Sequence, residues 1–282
     1  MWIWLILASA LLLGFYDVAK KEALKKNSVL YVLFIATAIS TLLLVPFMGP
    51  GSENDHLHLV LKAFLVTSSW VSGLVGIKKL PLTTASTIKA SRPIFVLIFS
   101  LILFGEKLNW MQWCGIIVAF AALFMLSRSS KKEGIEIKSN SGFVWMAVSV
   151  LTGAASALYD KHILASMDPL FVQSWSNVYI TVLLGISILI WDVILKKRSE
   201  KFKWDWTLLL IAVLITAADF LYFLALSQEG ALLSVISIVR RCSVIITFAG
   251  GALLFKEHNI RSKALDLAVL LAGIGIIVLG TA

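Results

Sequence analysis

The chain has 282 residues, of which 59% are hydrophobic and 15% charged, with a formal net charge of +9 and a mean hydropathy of +0.92. So much apolar surface excludes a soluble domain, and its recurrence from end to end excludes a soluble core on a single anchor. The basic residues form no stripe with interleaved aromatics outside the apolar runs, so nucleic acid is not an expected partner.

A helix needs about 20 apolar residues to cross roughly 30 Å of hydrocarbon. Only helices and closed barrels satisfy their backbone there, and the alternation of barrel strands is missing. In chain order, spans are predicted near 2–20, 28–48, 58–78, 83–104, 110–127, 142–164, 170–195, 206–227, 231–255 and 261–280. The fold class expected is therefore an all-α polytopic membrane protein with ten transmembrane helices. Met1 to Leu13 lacks a basic start and runs on into a full span, so no cleavable signal is expected.

The connections are short; only Arg128 to Ser141 reads as a linker. Eighteen Lys and Arg residues fall in or beside the odd-numbered connections, against only Lys107 and Lys161 in the even ones. The positive-inside rule then makes the odd connections and the linker cytoplasmic and both termini extracytoplasmic. The expected location is the plasma (inner) membrane of a prokaryote, and a homodimer stays open.

Two stretches resemble each other. Lys89-Ala90-Ser91-Arg92-Pro93 leads through an apolar run to Phe104-Gly105-Glu106, as Arg240-Arg241-Cys242-Ser243-Val244 leads to Phe255-Lys256-Glu257. Phe15-Tyr16-Asp17 likewise matches Leu158-Tyr159-Asp160. The expected organisation is a first five-helix repeat over 1–127, a linker over 128–141 and a second repeat over 142–282. An odd number of spans per copy inverts one against the other, a transporter pattern with its site near the midplane.

Lys89, Arg92, Arg240 and Arg241 stand well inside predicted helices. A charge at the bilayer centre costs about 2.5–3.5 kcal/mol even on lenient scales, so these should line a wet cavity or have partners. Counted from Pro81, Lys89 lies roughly 12 Å deep; counted from Gly230, Arg240 lies roughly 15 Å deep from the other side. Asp219, as far before Glu229 as Arg240 is after Gly230, is the expected partner of one arginine. Asp17 and Asp160, beside their tyrosines near span ends, are candidates for coupling or charge balance. Trp70 and Trp175 fall inside spans and are candidates to face the cavity, while Glu106 and Glu257 read as structural. Gly73, Gly76, Gly115 with Ala119, Gly273 and Gly275 form small faces for close helix packing. No metal, cofactor or enzymatic motif is expected; the four histidines fall at or near span ends without ligand spacing.

Over its whole length the chain resembles the drug/metabolite transporter superfamily, specifically its ten-helix EamA-type members. The resemblance rests chiefly on Pro93 to Glu106 with Gln112 to Leu126, and on Arg240 to Gly280. It implies a carrier of small molecules. A narrower likeness joins Ile88-Lys89-Ala90 with Pro93 and Phe95, and Val239-Arg240-Arg241 with Val244-Ile245, to the fourth and ninth helices of plastid sugar-phosphate/phosphate translocators. There the corresponding basic residues grip phosphate, which implies a phosphate-type substrate on Lys89, Arg240 and Arg241. Ala217 stands where those relatives have a phosphate-contacting tyrosine, and Trp70 and Gly73 replace polar third-helix residues. Common EamA members also carry basic residues in the second connection, which is acidic here. The alternative is an exporter of amino acids or other neutral or zwitterionic metabolites, with the basic cluster paired internally.

Overall fold

A computed structural model describes residues 2–24, 26–79, 88, 91–128, 141–190, 202–243, 246 and 260–280. Ten α-helices are described: α1 Trp2–Ala23, α2 Val29–Leu44, α3 Glu53–Lys79, α4 Arg92–Leu103, α5 Trp110–Arg128, α6 Ser141–Ile163, α7 Pro169–Leu189, α8 Thr207–Leu226, α9 Leu233–Val239 and α10 Ile260–Leu279. Six of them, α1, α2, α3, α6, α7 and α8, carry windows long and apolar enough to cross a membrane. Large apolar side chains such as Trp4, Leu42, Phe64, Ile102, Ile117, Val144, Val182 and Leu210 are exposed, as lipid-facing positions are. The chain is a helical polytopic membrane protein. Lys89, most of the linker, Glu257 and the ends of the seventh and ninth predicted spans lie outside the described residues.

Helix starts follow local chemistry. Asp168 accepts from the amides of Leu170 and Phe171 ahead of Pro169, fixing the start of α7. Asn109 and Gln112 bond each other's amides at 3.0 and 2.8 Å to open α5, and Ser52 and Asp55 do the same at 3.0 and 3.2 Å for α3. The turns after α4 and α8 use Gly105 (φ 61°) and Gly230 (φ 74°), a left-handed conformation that glycine adopts without a Cβ penalty.

The principal pairings are α3 with α6, α1 with α8, α5 with α10, α2 with α7, α3 with α7, α2 with α8, α4 with α9, α4 with α6 and α1 with α9. Each joins a helix before the linker to one after it. Replacing every helix by the one five places away returns the same set.

Small residues set the seams. Ser69 and Ser149 exchange hydroxyl-to-carbonyl bonds of 2.7 and 2.6 Å between α3 and α6, and Ser9 bonds the Ala218 carbonyl at 2.6 Å between α1 and α8. A Cβ on Gly115 would stand 2.7 Å from the Gly273 carbonyl, and one on Gly273 would stand 2.7 Å from the Ala119 amide. Gly76 is pressed against Met146, whereas a Cβ on Gly275 would meet nothing within 4 Å among the described residues.

Contacts between connections sort the two ends of the bundle. At one end Lys26 bridges Asp205 at 2.5 Å and Asn27 bonds the Lys203 carbonyl at 2.8 Å, joining the first and seventh connections. The Lys26 bond holds the Asp205 carboxyl down at about 2. At the other end Asn109 bonds the Gly280 carbonyl at 2.5 Å, and Trp175 bonds the Gly49 carbonyl at 3.0 Å. The basic connections 1 and 7 thus meet at one end, and the end of α10 lies with the fourth connection at the other.

Candidate functional site

α4 begins at Arg92, and α9 gives way to a tighter turn at Arg240 and Arg241. The Ser91 amide bonds Ile88 three residues back, at 3.1 Å, ahead of that start. α9 tightens into a 3-10 turn over Arg240–Cys242, with the Ser243 amide on the Arg240 carbonyl. The start and the turn fall at matching places in the two similar stretches. Interrupted helices in corresponding positions of two halves are where transporter folds place substrate.

These two places bring Arg92, Arg240 and Arg241 within electrostatic range of one another. Arg240 is ion-paired to Asp219 of α8, the partner expected from their equal distance to the α8–α9 turn. Its guanidinium lies 4.2 Å over the Tyr222 ring. Among the described residues the groups Arg92 bonds are neutral, the Ser69 hydroxyl at 2.9 Å and the Ser149 carbonyl at 3.3 Å. Arg241 makes no hydrogen bond or ion pair with a described residue, though Asp17 is within electrostatic range. The Nε groups of Arg92 and Arg240 are buried and without a hydrogen-bond partner among the described residues. Three arginines, one direct carboxylate partner and two spare buried donors make a site suited to an anion with several acceptor oxygens.

Beside it lies a second charged group that the sequence reading passes over. Lys62 of α3 is ion-paired to Asp160 of α6, their side chains only 3% and 8% exposed. Lys62 also lies 4.3 Å from the centre of the Phe223 ring, and the Tyr222 hydroxyl donates to Asp160 at 3.4 Å. Tyr222 therefore links the two ion pairs, its hydroxyl on Asp160 and its ring face under Arg240. Asp160, a candidate for coupling, is a buried partner of lysine. The signal for Lys62 was in the sequence, a lysine nine residues past Glu53 in an apolar run. A predicted start at 58 placed it near a span end, where lysines are common.

Neighbours of Asp160 on α6 close the same end of the bundle. Tyr159 bonds His58, and Lys161 bridges Glu106 at 2.6 Å while donating to the Ala231 carbonyl at 3.0 Å. Glu106 also accepts from the Leu233 and Ser234 amides, at 2.6 and 3.1 Å, and from the Ser234 hydroxyl. It is the structural residue expected, and it anchors the start of α9 so that Arg240 and Arg241 project from a fixed helix. Above this anchor a cavity of about 510 Å³ is lined by residues including Glu106, Lys161, Gln228 and Leu232.

Of the remaining candidates, Asp17 of α1 is within electrostatic range of both Lys20 and Arg241. Trp70 packs with Leu33, Ala63, Ile180 and Leu184 in an apolar cluster. Trp175 stands edge-on to His56 with ring centres 4.6 Å apart and stacks on Tyr179. No group of three or more His, Cys, Asp or Glu side chains is placed to hold a metal ion among the described residues.

Residues 1–128 and 140–281 each match the EamA-like transporter family. The chain is similar to an S-adenosylmethionine uptake transporter of Rickettsia prowazekii (strain Madrid E), 26% identical over 108 residues and covering 36% of each protein. It is similar to another of Rickettsia bellii (strain RML369-C), 31% identical over 100 residues and 33% of each. The uncharacterized transporter YxxF of Bacillus subtilis (strain 168) is 24% identical over 133 residues, 46% of this chain and 43% of that one. The chain thus spans less than half the length of these curated relatives. One solved crystal structure shares the fold with a TM-score of 0.75 at 12% identity, covering 96% of this chain and 98% of that one.

Proposed function

The chain belongs to the EamA-like transporter family, and we propose that it carries a small organic anion with a phosphate-type head group across the membrane. The observation that carries this reading is the meeting of Arg92, Arg240 and Arg241 at the start of α4 and the turn that ends α9. Arginine's planar fork matches the oxygens of a phosphate, and Lys89, three residues before Arg92 in the chain, is the proposed fourth cation. Asp219 neutralises only one of the three arginines, so a surplus of positive charge is left for the ligand. Trp70, Asp17 and Asp160 are proposed to shape the cavity and balance charge around it.

Movement is proposed to occur by alternating access between two inverted repeats, 1–127 and 142–282. Support comes from the principal helix pairings, which map onto themselves when each helix is exchanged with the one five later. The membrane is proposed to be a prokaryotic inner membrane, with the basic connections cytoplasmic and both termini outside.

A second reading is favoured by the Arg240–Asp219 pair itself. A site with an arginine and a carboxylate side by side also suits the paired charges of an amino acid, and two relatives are named for S-adenosylmethionine uptake. Uptake into liposomes, with phosphorylated compounds set against amino acids and S-adenosylmethionine, separates the two. The anion reading expects uptake of phosphorylated compounds, lost in Lys89→Gln and in Arg241→Gln while the protein stays folded. Removing a charge-assisted bond costs about 1.5–3 kcal/mol, or roughly ten- to hundred-fold in affinity. Arg241→Lys should recover only part, since the fork is lost. Normal transport by Lys89→Gln, or uptake confined to amino acids, overturns the reading in favour of the second.

A further inference from the structure

We infer that the carrier moves one proton together with each anion, taken up by Asp219 as the anion displaces it from Arg240; this rests on the anion reading above. The three arginines are not equivalent toward an incoming anion. Among the described residues Arg241 has no hydrogen-bond or ion-pair partner and Arg92 holds a hydroxyl and a carbonyl, so both can bond an anion at little loss. Arg240 alone already carries a carboxylate. An anion that engages Arg240 therefore meets Asp219 as a competitor of the same sign.

Asp219 cannot keep its charge at no cost once Arg240 turns away. From α9 the facing cation is Arg240 itself, with Arg241 in electrostatic range of it. From α6 comes Asp160, another carboxylate within range. On its own helix stands Tyr222, whose hydroxyl is committed to Asp160. Along α1, packed on α8, Ser9 bonds the carbonyl before Asp219, and the titratable groups of that helix are Tyr16, Asp17, Lys20, Lys21 and Glu22, with Asp17 facing Arg241 electrostatically. From α2 and α7 the polar groups one turn away, at Thr216, are the neutral Ser40, Gln173 and Asn177. From α3 comes Lys62, 4.3 Å from the Phe223 ring one turn along α8, but it is committed to Asp160. No other cation is placed to replace Arg240 on Asp219 among the described residues. A carboxylate that loses its counter-ion and gains a like-charged neighbour favours its protonated form.

The step balances without any other reactant. The anion forms bonds to the arginine fork, the Arg240–Asp219 pair opens, and Asp219 takes one proton from the aqueous side to which the site is open. Release on the other side reverses all three. Asp160 is unsuited to this exchange because its bonds run to Lys62 and Tyr222 and to none of the three arginines. At 31% side-chain exposure, Asp219 is also the more accessible of the two to water.

The test is isothermal titration calorimetry of the full chain in detergent. Inorganic phosphate and glycerol 3-phosphate are titrated at about pH 8, where a phosphate ester is already almost fully ionised. Two buffers of different ionisation enthalpy give the number of protons bound with each anion. The expected result is about one proton taken up per anion in the unaltered protein and none in Asp219→Asn. Binding of either anion without proton uptake by the unaltered protein overturns the coupling and leaves the anion reading standing, whether or not Asp219→Asn folds. Equal uptake in Asp219→Asn overturns the assignment to Asp219. If neither phosphate binds, the anion reading itself falls, and the coupling with it.

Discussion

Gly153 of α6 lies directly against the guanidinium of Arg92: a Cβ on Gly153 would stand 2.3 Å from Arg92 Cζ and 2.4 Å from Nη2. The missing side chain is what lets Arg92 reach Ser69 on α3 and the Ser149 carbonyl on α6. The obstructed group is the far end of a flexible side chain, so an added methyl moves the arginine and leaves the helices in place. Gly153→Ala should therefore leave thermal stability unchanged or raise it by up to about 1 kcal/mol, since alanine is the better helix former. Anion affinity should fall about ten-fold as the bond from Arg92 is lost. Unaltered affinity in a folded Gly153→Ala protein would remove Arg92 from the site.

The Lys62–Asp160 pair tests a structural role. Both side chains are almost fully buried, so removing one leaves a charge without its partner in a low-dielectric interior. Lys62→Gln and Asp160→Asn should each destabilise the protein by about 3–5 kcal/mol. Lys62→Met combined with Asp160→Leu should recover most of that loss, because no stranded charge remains. Melting of the purified variants in detergent reads this directly. A single variant as stable as the parent would show that the pair does not hold α3 to α6.

The sequence carried the bilayer spans plainly, since hydrocarbon demands long apolar runs and these are visible one helix at a time. It also carried a pair between Asp219 and one of the two arginines of α9, because residues equally far from one turn return to the same depth on neighbouring helices; the choice of Arg240 came from the structure. Lys62 with Asp160 escaped that reasoning: 98 residues separate them, and no shared turn sets their depth. Tyr159 was legible only as an interfacial anchor, and its bond to His58 depends on how α3 and α6 are packed. Gly153 was silent for the same reason, its use being apparent only once α4 crosses α6. Gly275 misled, because it stands on the exposed side of α10, whereas Gly273 two residues earlier packs on α5.

Sidedness follows from charge. Lys26–Asp205 and Asn27–Lys203 gather the basic first and seventh connections at one end, while the end of α10 meets Asn109 at the other. If the basic end is cytoplasmic, a reporter active only in the cytoplasm and fused after Ala282 should be silent. Fusions in the seventh connection, near Lys201, should be active. The opposite pattern would reverse the orientation and leave the helix packing as described.

Asp219 has a choice of two arginines in sequence, adjacent on α9, and the structure pairs it with Arg240. Asp219→Asn leaves Arg240 half-buried against Tyr222 without its counter-ion and should cost about 1–3 kcal/mol. Adding Arg240→Gln removes the stranded charge and should restore much of the yield and melting temperature. Adding Arg241→Gln instead should not, because Arg241 makes no ion pair with Asp219 and its loss relieves only a longer-range repulsion. The contrast between the two double variants is the measurement, since both remove one carboxylate and one arginine and differ only in which arginine goes. Equal recovery in both would mean that Asp219 answers to the net charge of the cluster and not to Arg240 in particular. Recovery confined to Arg241→Gln would reassign the pair, and with it the arginine that an incoming anion must compete for.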